Sequence, residues 1–364
     1  MKIVHIIPSL NSGGAETMLY KLLKFRQSEM DIEIITFISD GFYANEIREM
    51  NISVHEINIK KLRIKSVFKI INILKGADIV QSWMYHSDLI ALIFGKLLLK
   101  KKVVWGIRRS YLAKEKMNKR TYFIAKVCSF FSGYVDGIVS CTEVGKINHL
   151  NFGYHNKCFL VIPNGFDLEQ FNPDSGFGIK ETELLRLLNI SRWEPLKDHN
   201  TLLAAANILK TNGIKFELLL VGKNIDYKNK VLINLISYYG LENEVKLLGV
   251  RKDIPDIMYS SDIYVSSSIS EGFPNVIGEA MSSELYCVAT NAGDTELIIG
   301  GLGTVVPVCS PEKLADGIQK ALNIDKTKLM EIKTQARKRI EEEFSIQRIV
   351  KEYETMYKKI YQIG

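Results

Sequence analysis

The chain has 364 residues, 46% hydrophobic and 24% charged, a composition that excludes disorder and collagen-like structure. At about 150 residues per domain, the length predicts two domains. The net charge of +7 is uneven: residues 1–168 carry 24 basic and 14 acidic side chains, residues 169–364 carry 24 and 27, so the halves are expected to face different surroundings.

In chain order, strand-like apolar runs fall at 3–7, 32–37, 77–83, 102–107, 136–141 and 157–162. Helical patterns lie between them at 15–27, 65–74, 88–98, 118–131 and 143–151. Continuous apolar strands separated by helices predict a parallel sheet covered on both faces. The stretch IPNGFDLEQFNPDSGFG (162–178) holds Pro163, Pro173 and three glycines without periodicity and reads as a linker. The alternation then restarts, with strands at 184–191, 215–222, 244–249, 262–268, 286–290 and 303–308. Helices are predicted at 200–211, near 229–239, near 254–259, from Asn275, and through the tail from Pro311. The expected fold class is α/β, two doubly wound Rossmann-like domains facing across a cleft. Such sheets bind ligands at their strand C-terminal ends.

Five cysteines, Cys128, Cys141, Cys158, Cys287 and Cys309, include no C-x-x-C pair. They read as reduced, buried thiols of a cytosolic protein. Residues 1–10 contain His5 and Pro8 and lack a small-residue cleavage site, so no signal peptide is expected. The apolar stretch 89–99 is broken by Lys96 and too short to span a bilayer.

Three loops can carry chemistry. PSLNSGGAET (8–17) follows the first strand and opens the first helix. Gly13 and Gly14 allow close backbone approach, and the helix N-terminus offers N–H groups to an anion; by itself the segment reads equally as a tight turn. NISRWEPLKDHNTLL (189–203) places Arg192 and Lys197 five apart on a loop. Together they can hold a diphosphate and neutralise it as it leaves, although an ordinary charged loop has the same residues. The chain has no D-x-D triplet to hold a divalent ion. SISEGFPNVIGEAMSS (268–283) carries Glu271 and Glu279 eight apart, with Pro274 before a helix start. Glu279, one turn inside, can accept hydrogen bonds from two vicinal hydroxyls. Glu271 can hold another part of the ligand, and the N–H groups around Phe273, Asn275 and Val276 suit a phosphate. The alternative is a carboxylate that balances the helix dipole.

SGGAE, VIPNGFD, SRWEPLKD and SSSISEGFPNVIGEAM, in this order and spacing, are similar to the large GT-B family of retaining glycosyltransferases known as family 4. The resemblance covers nearly the whole chain. It implies an N-terminal acceptor-binding domain (1–165), a C-terminal nucleotide-sugar-binding domain (166–343) and a last helix (344–364) packing back on the first domain. It implies that Arg192 and Lys197 clamp the diphosphate, Glu279 binds ribose and Glu271 holds donor-sugar hydroxyls. It also implies that Phe273, Pro274, Asn275 and Val276 run along sugar and phosphate, that Gly14 lies in a loop closing over the diphosphate, and that Val250 and Arg251 flank the base. Many relatives carry two histidines after the fourth strand, where this chain has Gln81 and Trp83. His86, three residues on, is the candidate replacement. No cofactor and no metal are expected, the nucleotide sugar being a substrate. His5, His55, His149, His155 and His199 are expected to be structural or surface residues.

Residues 96–126 hold eleven Lys and Arg against Glu115 alone, interleaved with Leu97–Leu99, Trp105, Tyr111, Tyr122 and Phe123. Such a surface suits an anionic bilayer; no nucleic-acid motif accompanies it, and a solvated face is the alternative. Arg108 and Arg109 can instead point at an acceptor phosphate. The expected activity is transfer of a sugar from a nucleotide diphosphate, UDP before GDP, to a lipid-linked saccharide at the inner membrane face, as in polysaccharide or O-antigen assembly. A nucleotide-sugar epimerase of the same architecture and a catalytically silent partner subunit are the rivals. An NAD oxidoreductase is disfavoured by the spacing of the Gly-rich turn.

Overall fold

A computed structural model of the chain describes residues 1–11, 13–58, 64–110, 112, 117–173 and 184–362. The chain divides into two compact units, Met1–Gly165 with Ile346–Gly364, and Phe166–Ser345.

Unit 1 runs β1 (Lys2–Ile7), α1 (Gly14–Lys24), β2 (Asp31–Thr36), α2 (Ala44–Glu49), β3 (Ser53–Glu56), α3 (Ile64–Lys75), β4 (Ile79–Trp83) and α4 (Tyr85–Ile90). A π-helical segment, Ala91–Leu98, prolongs α4 and is followed by β5 (Lys102–Ile107), α5 (Lys119–Phe131), β6 (Gly137–Ser140), α6 (Glu143–Phe152) and β7 (Phe159–Val161). The sheet order is β3-β2-β1-β4-β5-β6-β7, every pair parallel. Alternate residues of the central strands feed two cores. Ile3, Ile7 and Ile79 pack with Leu19 of α1 and Ile349 of the last helix. Val4, Ile6 and Val80 pack on the opposite side with Ile70 of α3, Leu92 of the π-helical segment and Ala125 of α5.

Unit 2 runs β8 (Leu185–Ile190), α7 (His199–Thr211), β9 (Phe216–Val221), α8 (Lys230–Tyr238), β10 (Val245–Gly249), α9 (Ile254–Tyr259), β11 (Ile263–Ser266) and α10 (Asn275–Ser282). It continues through β12 (Tyr286–Thr290), α11 (Thr295–Ile299), β13 (Thr304–Val306), α12 (Pro311–Leu322) and α13 (Lys326–Phe344). Its sheet is β10-β9-β8-β11-β12-β13, again parallel. The last helix, α14 (Ile346–Gln362), belongs to unit 1.

Several elements depart from the sequence expectation, among them α2 and α11, short helices where none is predicted. β3 carries Ser53, His55 and Glu56 at an edge, where one-sided burial removes the apolar run that marks a strand. The helix expected at 88–98 begins at Tyr85 and widens to π geometry from Ala91. The stretch read as a linker is packed at its start. Phe166 is fully buried, stacked on Phe273 at 6.0 Å, and Arg337 donates to the carbonyls of Phe171 and Leu168. Residues 174–178 of that stretch lie outside the described residues.

Candidate active site

The loop after β8 is shaped by its own residues. Ser191 N donates to Val221 O and Trp193 N to Lys223 O, both at 2.9 Å, which holds the loop beside the end of β9. A short 3₁₀ turn, Pro195–Lys197, ends at Asp198 in the left-handed region (φ 46°). The Asp198 carboxylate caps α7, accepting from Thr201 N at 3.1 Å and Thr201 Oγ1 at 2.6 Å. The loop after β11 then fastens to it. Ser267 Oγ donates to Lys197 O at 2.9 Å, and Ile269 N donates to Leu196 O at 2.8 Å. The consequence is an ion pair between the loops: Lys197 Nζ binds Glu271 Oε1, which also accepts from Ser268 Oγ at 2.7 Å. The two side chains are 21% and 16% exposed, sheltered enough for charge to act strongly. Arg192 Nε pairs with Glu194 Oε1 at 2.8 Å in the open, at 58% and 43% exposure. Such a pair contributes little and gives way readily.

A mostly buried chain of hydrogen bonds links α7 to β11. His199 Nε2 and Ser191 Oγ are 3.0 Å apart, Ser191 Oγ donates to Asn189 Oδ1 at 2.9 Å, and Asn189 Nδ2 donates to Val265 O at 2.8 Å. Because the Ser191 hydroxyl is committed to Asn189, His199 supplies the Nε2 proton. Burial, and then the charge of Lys197, hold the His199 imidazole down to about 4, so it is a neutral donor. These bonds tie both ends of the Arg192–Lys197 loop to β11.

α10 opens at Pro274, which makes no side-chain capping bond, with half-buried Asn275 and Val276 as its first residues and Phe273 buried behind them. Glu279 is the fifth residue of α10, half-buried. Burial first, and then the charges of Glu271 and Glu279, push the Tyr264 phenol well above its usual range, so both carboxylates lie within electrostatic reach of one β11 side chain. Two glycines are required here. A Cβ on Gly278 would meet the Phe166 ring at 2.1 Å, and Gly293, at φ +62°, would place one 2.3 Å from Gly272 O. Val250 and Arg251 follow β10 in the open, with Arg251 Nε on Asp253 Oδ1 at 2.8 Å and Nη2 on the other oxygen.

In unit 1, Gly13 precedes α1 and Gly14 opens it, while Ser9 Oγ donates to Glu16 Oε1 at 2.9 Å; Ser12 lies outside the described residues. His86 stands half-buried in the first turn of α4, after an elbow at Met84 (φ 69°). Burial, and then Arg120, lower its pKa. Arg109 is exposed, and its charge reaches Tyr85. Gln81 and Trp83 are buried, with Trp83 Nε1 donating to His5 Nδ1 at 3.2 Å.

Residues 175–339 match the family described as glycosyl transferases group 1, and residues 12–170 match glycosyltransferase family 4. The chain belongs to the group 1 glycosyltransferases. The Staphylococcus aureus capsular polysaccharide biosynthesis glycosyltransferase CapH is 26% identical over 80% of this glycosyltransferase and 81% of its own length. An Escherichia coli UDP-Gal:alpha-D-GlcNAc-diphosphoundecaprenol alpha-1,3-galactosyltransferase is 31% identical over 38% of each chain. Among solved structures, Anabaena Alr3699/HepE in complex with UDP-glucose has the same fold, with a TM-score of 0.83 at 21% identity, covering 98% of this chain and 100% of that one.

The structure adds to several expected placements. Arg108 of this glycosyltransferase is engaged within unit 1. Its guanidinium lies 4.3 Å over the Trp83 ring, donates to Asn164 Oδ1 at 2.9 Å and bonds the Tyr353 hydroxyl. The run at 96–126 is not one uniform patch: Asp136 takes Lys96 at 2.6 Å and Lys102 at 3.8 Å, and Lys101 donates to Lys75 O. Tyr111, Lys114, Glu115 and Lys116 of that run lie outside the described residues. The cysteines are free, but Cys309 is exposed and Cys158 only partly buried, the former in a turn before α12. Ser268 and His199 were not singled out by sequence. Their partners lie within the same motifs, Glu271 three residues from Ser268 and Ser191 eight residues from His199, but the residue types alone do not show that these side chains meet.

Proposed function

We propose that this glycosyltransferase moves a sugar from a nucleotide diphosphate, UDP before GDP, to a lipid-linked saccharide, with retention of configuration and without a metal ion. Unit 2 takes the donor and unit 1 the acceptor, in polysaccharide or O-antigen assembly at the cytoplasmic face of a membrane to which the protein binds peripherally. The observation that carries this is the meeting of Lys197 with Glu271 and Ser268 from two loops, the first of which also bears Arg192. The printed names of relatives support the donor and acceptor classes: UDP-Gal and a diphosphoundecaprenol in one, capsular polysaccharide in another.

In this reading Lys197 exchanges Glu271 for the diphosphate. Glu271, released, takes donor-sugar hydroxyls, Glu279 takes the ribose, and Arg192 leaves Glu194 for a phosphate oxygen. As the glycosidic bond breaks through an oxocarbenium-like state, the two cations and the N-terminus of α10 stabilise the charge that develops on the leaving diphosphate. The acceptor attacks from the leaving-group face, and a phosphate oxygen takes its proton. His86 and Arg109 hold the acceptor, Val250 and Arg251 flank the base, and Gly13 and Gly14 let the backbone approach the diphosphate.

Incubation with a panel of UDP- and GDP-sugars in EDTA tests this. Slow donor hydrolysis, fastest with one UDP-sugar and unchanged by chelation, is the expected result. Loss of all turnover in EDTA, restored by Mn²⁺, overturns the metal-free clamp. No hydrolysis and no binding of any sugar nucleotide overturns the donor reading.

A further inference from the structure

One side of the seven-stranded sheet is covered by α3, the π-helical segment and α5, whose inner residues share a core. A helix layer on a sheet ordinarily turns polar residues outward. Here Ile64 and Phe68 of α3, Leu97 and Leu98 of the π-helical segment, and Phe123 and Phe130 of α5 are between 52% and 75% exposed. On α3 the exposed stripe repeats at four-residue spacing, Ile64 with Phe68 and Lys65 with Lys69. The charge on these elements has one sign. Together they carry seven Lys and Arg and no Asp or Glu. Lys96 is paired with Asp136, while Lys65, Lys69, Lys119 and Arg120 are exposed.

Large apolar tips flanked by cations fit an anionic bilayer, and the neighbouring acid, Glu33, is taken by Lys2 and His55: the tips enter the headgroup boundary and the cations meet phosphates. Nucleic acid fits less well, because half of the exposed tips, Ile64, Leu97 and Leu98, are aliphatic and offer a base no stacking surface. We propose that the outer faces of α3, the π-helical segment and α5 form a membrane-docking face, with Phe68, Phe123 and Phe130 inserting and Lys65, Lys69 and Lys119 binding anionic headgroups. α3 lies outside the 96–126 run, so the face is broader than that run. Its bearing on catalysis rests on the lipid-linked acceptor proposed above. Arg120, at the head of α5, acts on His86, so the face ends beside the proposed acceptor residue.

Flotation with vesicles that contain neither donor nor acceptor tests the face alone. The full chain should float with phosphatidylglycerol vesicles and much less with phosphatidylcholine. Binding should fall as salt shortens the Debye length from about 10 Å at 0.1 M to about 3 Å at 1 M. Lys65→Ser, Lys69→Ser and Lys119→Ser should each weaken binding about fivefold, from ~1 kcal/mol per basic residue near such a surface. Phe68→Ser with Phe123→Ser and Phe130→Ser should remove the salt-resistant part. All six side chains lie outside unit 2, so donor hydrolysis and the thermal midpoint should stay unchanged in these variants. Absent flotation of the wild type, or undiminished flotation of the α3 variants, overturns the proposal. Retention on nucleic acid without vesicle binding overturns it in favour of that partner. Vesicle binding without donor hydrolysis leaves the face standing and overturns the functional reading instead.

Discussion

In unit 2 the charged side chains gather at the strand C-terminal ends, where Lys197 of one loop meets Glu271 of another and Arg192 meets Glu194. In unit 1 a parallel sheet of the same kind carries its cations on outer helices, and its fully buried carboxylate, Asp88, is held by a serine hydroxyl. The architecture is shared while the placement of charge differs. Fold therefore does not assign the chemistry; in the proposed reading, the loops after β8 and β11 do. In the proposed reading the sheltered ion pair between two loops is exchanged for a ligand, whereas cations on a helix surface can meet only what comes to that surface.

The sharpest way to break this comparison is Lys197→Ala. The ammonium is expected to strengthen its contact as the diphosphate departs, so its loss should cost about 3 kcal/mol of transition-state stabilisation, about a hundredfold in kcat. Steady-state donor hydrolysis measures it. A variant that turns over normally removes unit 2 from the chemistry and leaves the clamp a structural ion pair.

Asp88 tests the other side. It is fully buried, accepts from Ser82 Oγ at 2.6 Å, and its Oδ2 has no partner among the described residues. Burial raises its pKa to about 7, with the Ser82 hydroxyl pulling the other way; burial first, and then the Asp88 charge, raise Tyr85 and Cys128. Folded, the carboxyl keeps its proton to about pH 7; unfolded, it loses it near 4. Between these values the unfolded state binds fewer protons, so this group's contribution to stability is complete below about pH 4 and is lost as pH rises towards 7. The slope is at most about 1.4 kcal/mol per pH unit. Asp88→Asn should flatten it: near-equal melting temperatures at pH 4, and a higher one for the variant at pH 8, with nucleotide binding unchanged. Thermal melts at both pH values decide. Identical pH profiles would show that Asp88 is ionised and solvated.

Every strand but β3 was legible, as were the two loops that bring Lys197 and Glu271 together, because these are local signals. Apolar runs mark buried parallel strands, and SRWEPLKD and the Glu271–Glu279 spacing each lie within one loop and helix start. What sequence missed depends on partners far along the chain. Asp136 takes Lys96 and Lys102 from 34 to 40 positions away, and Tyr353 takes Arg108 from 245. Neither is visible in a count of charges. α3 escaped notice for the opposite reason: its cations are few, and only burial shows that Ile64 and Phe68 face outward.

Glu279→Ala is the smallest change and separates binding from chemistry within unit 2. Glu279 lies one turn inside α10, and its charge, like that of Glu271, reaches Tyr264. The two carboxylates therefore share a neighbourhood but are proposed to hold different parts of the donor. The ribose does not change on the way to the transition state, so a contact to its hydroxyls stabilises ground and transition states alike. Removing it should weaken UDP binding about tenfold, ~1.4 kcal/mol, raise KM by a similar factor and leave kcat within about twofold. Calorimetric titration with UDP beside steady-state hydrolysis checks both. A large fall in kcat at unchanged UDP affinity would move Glu279 from the ribose to the reacting sugar and merge its role with that of Glu271.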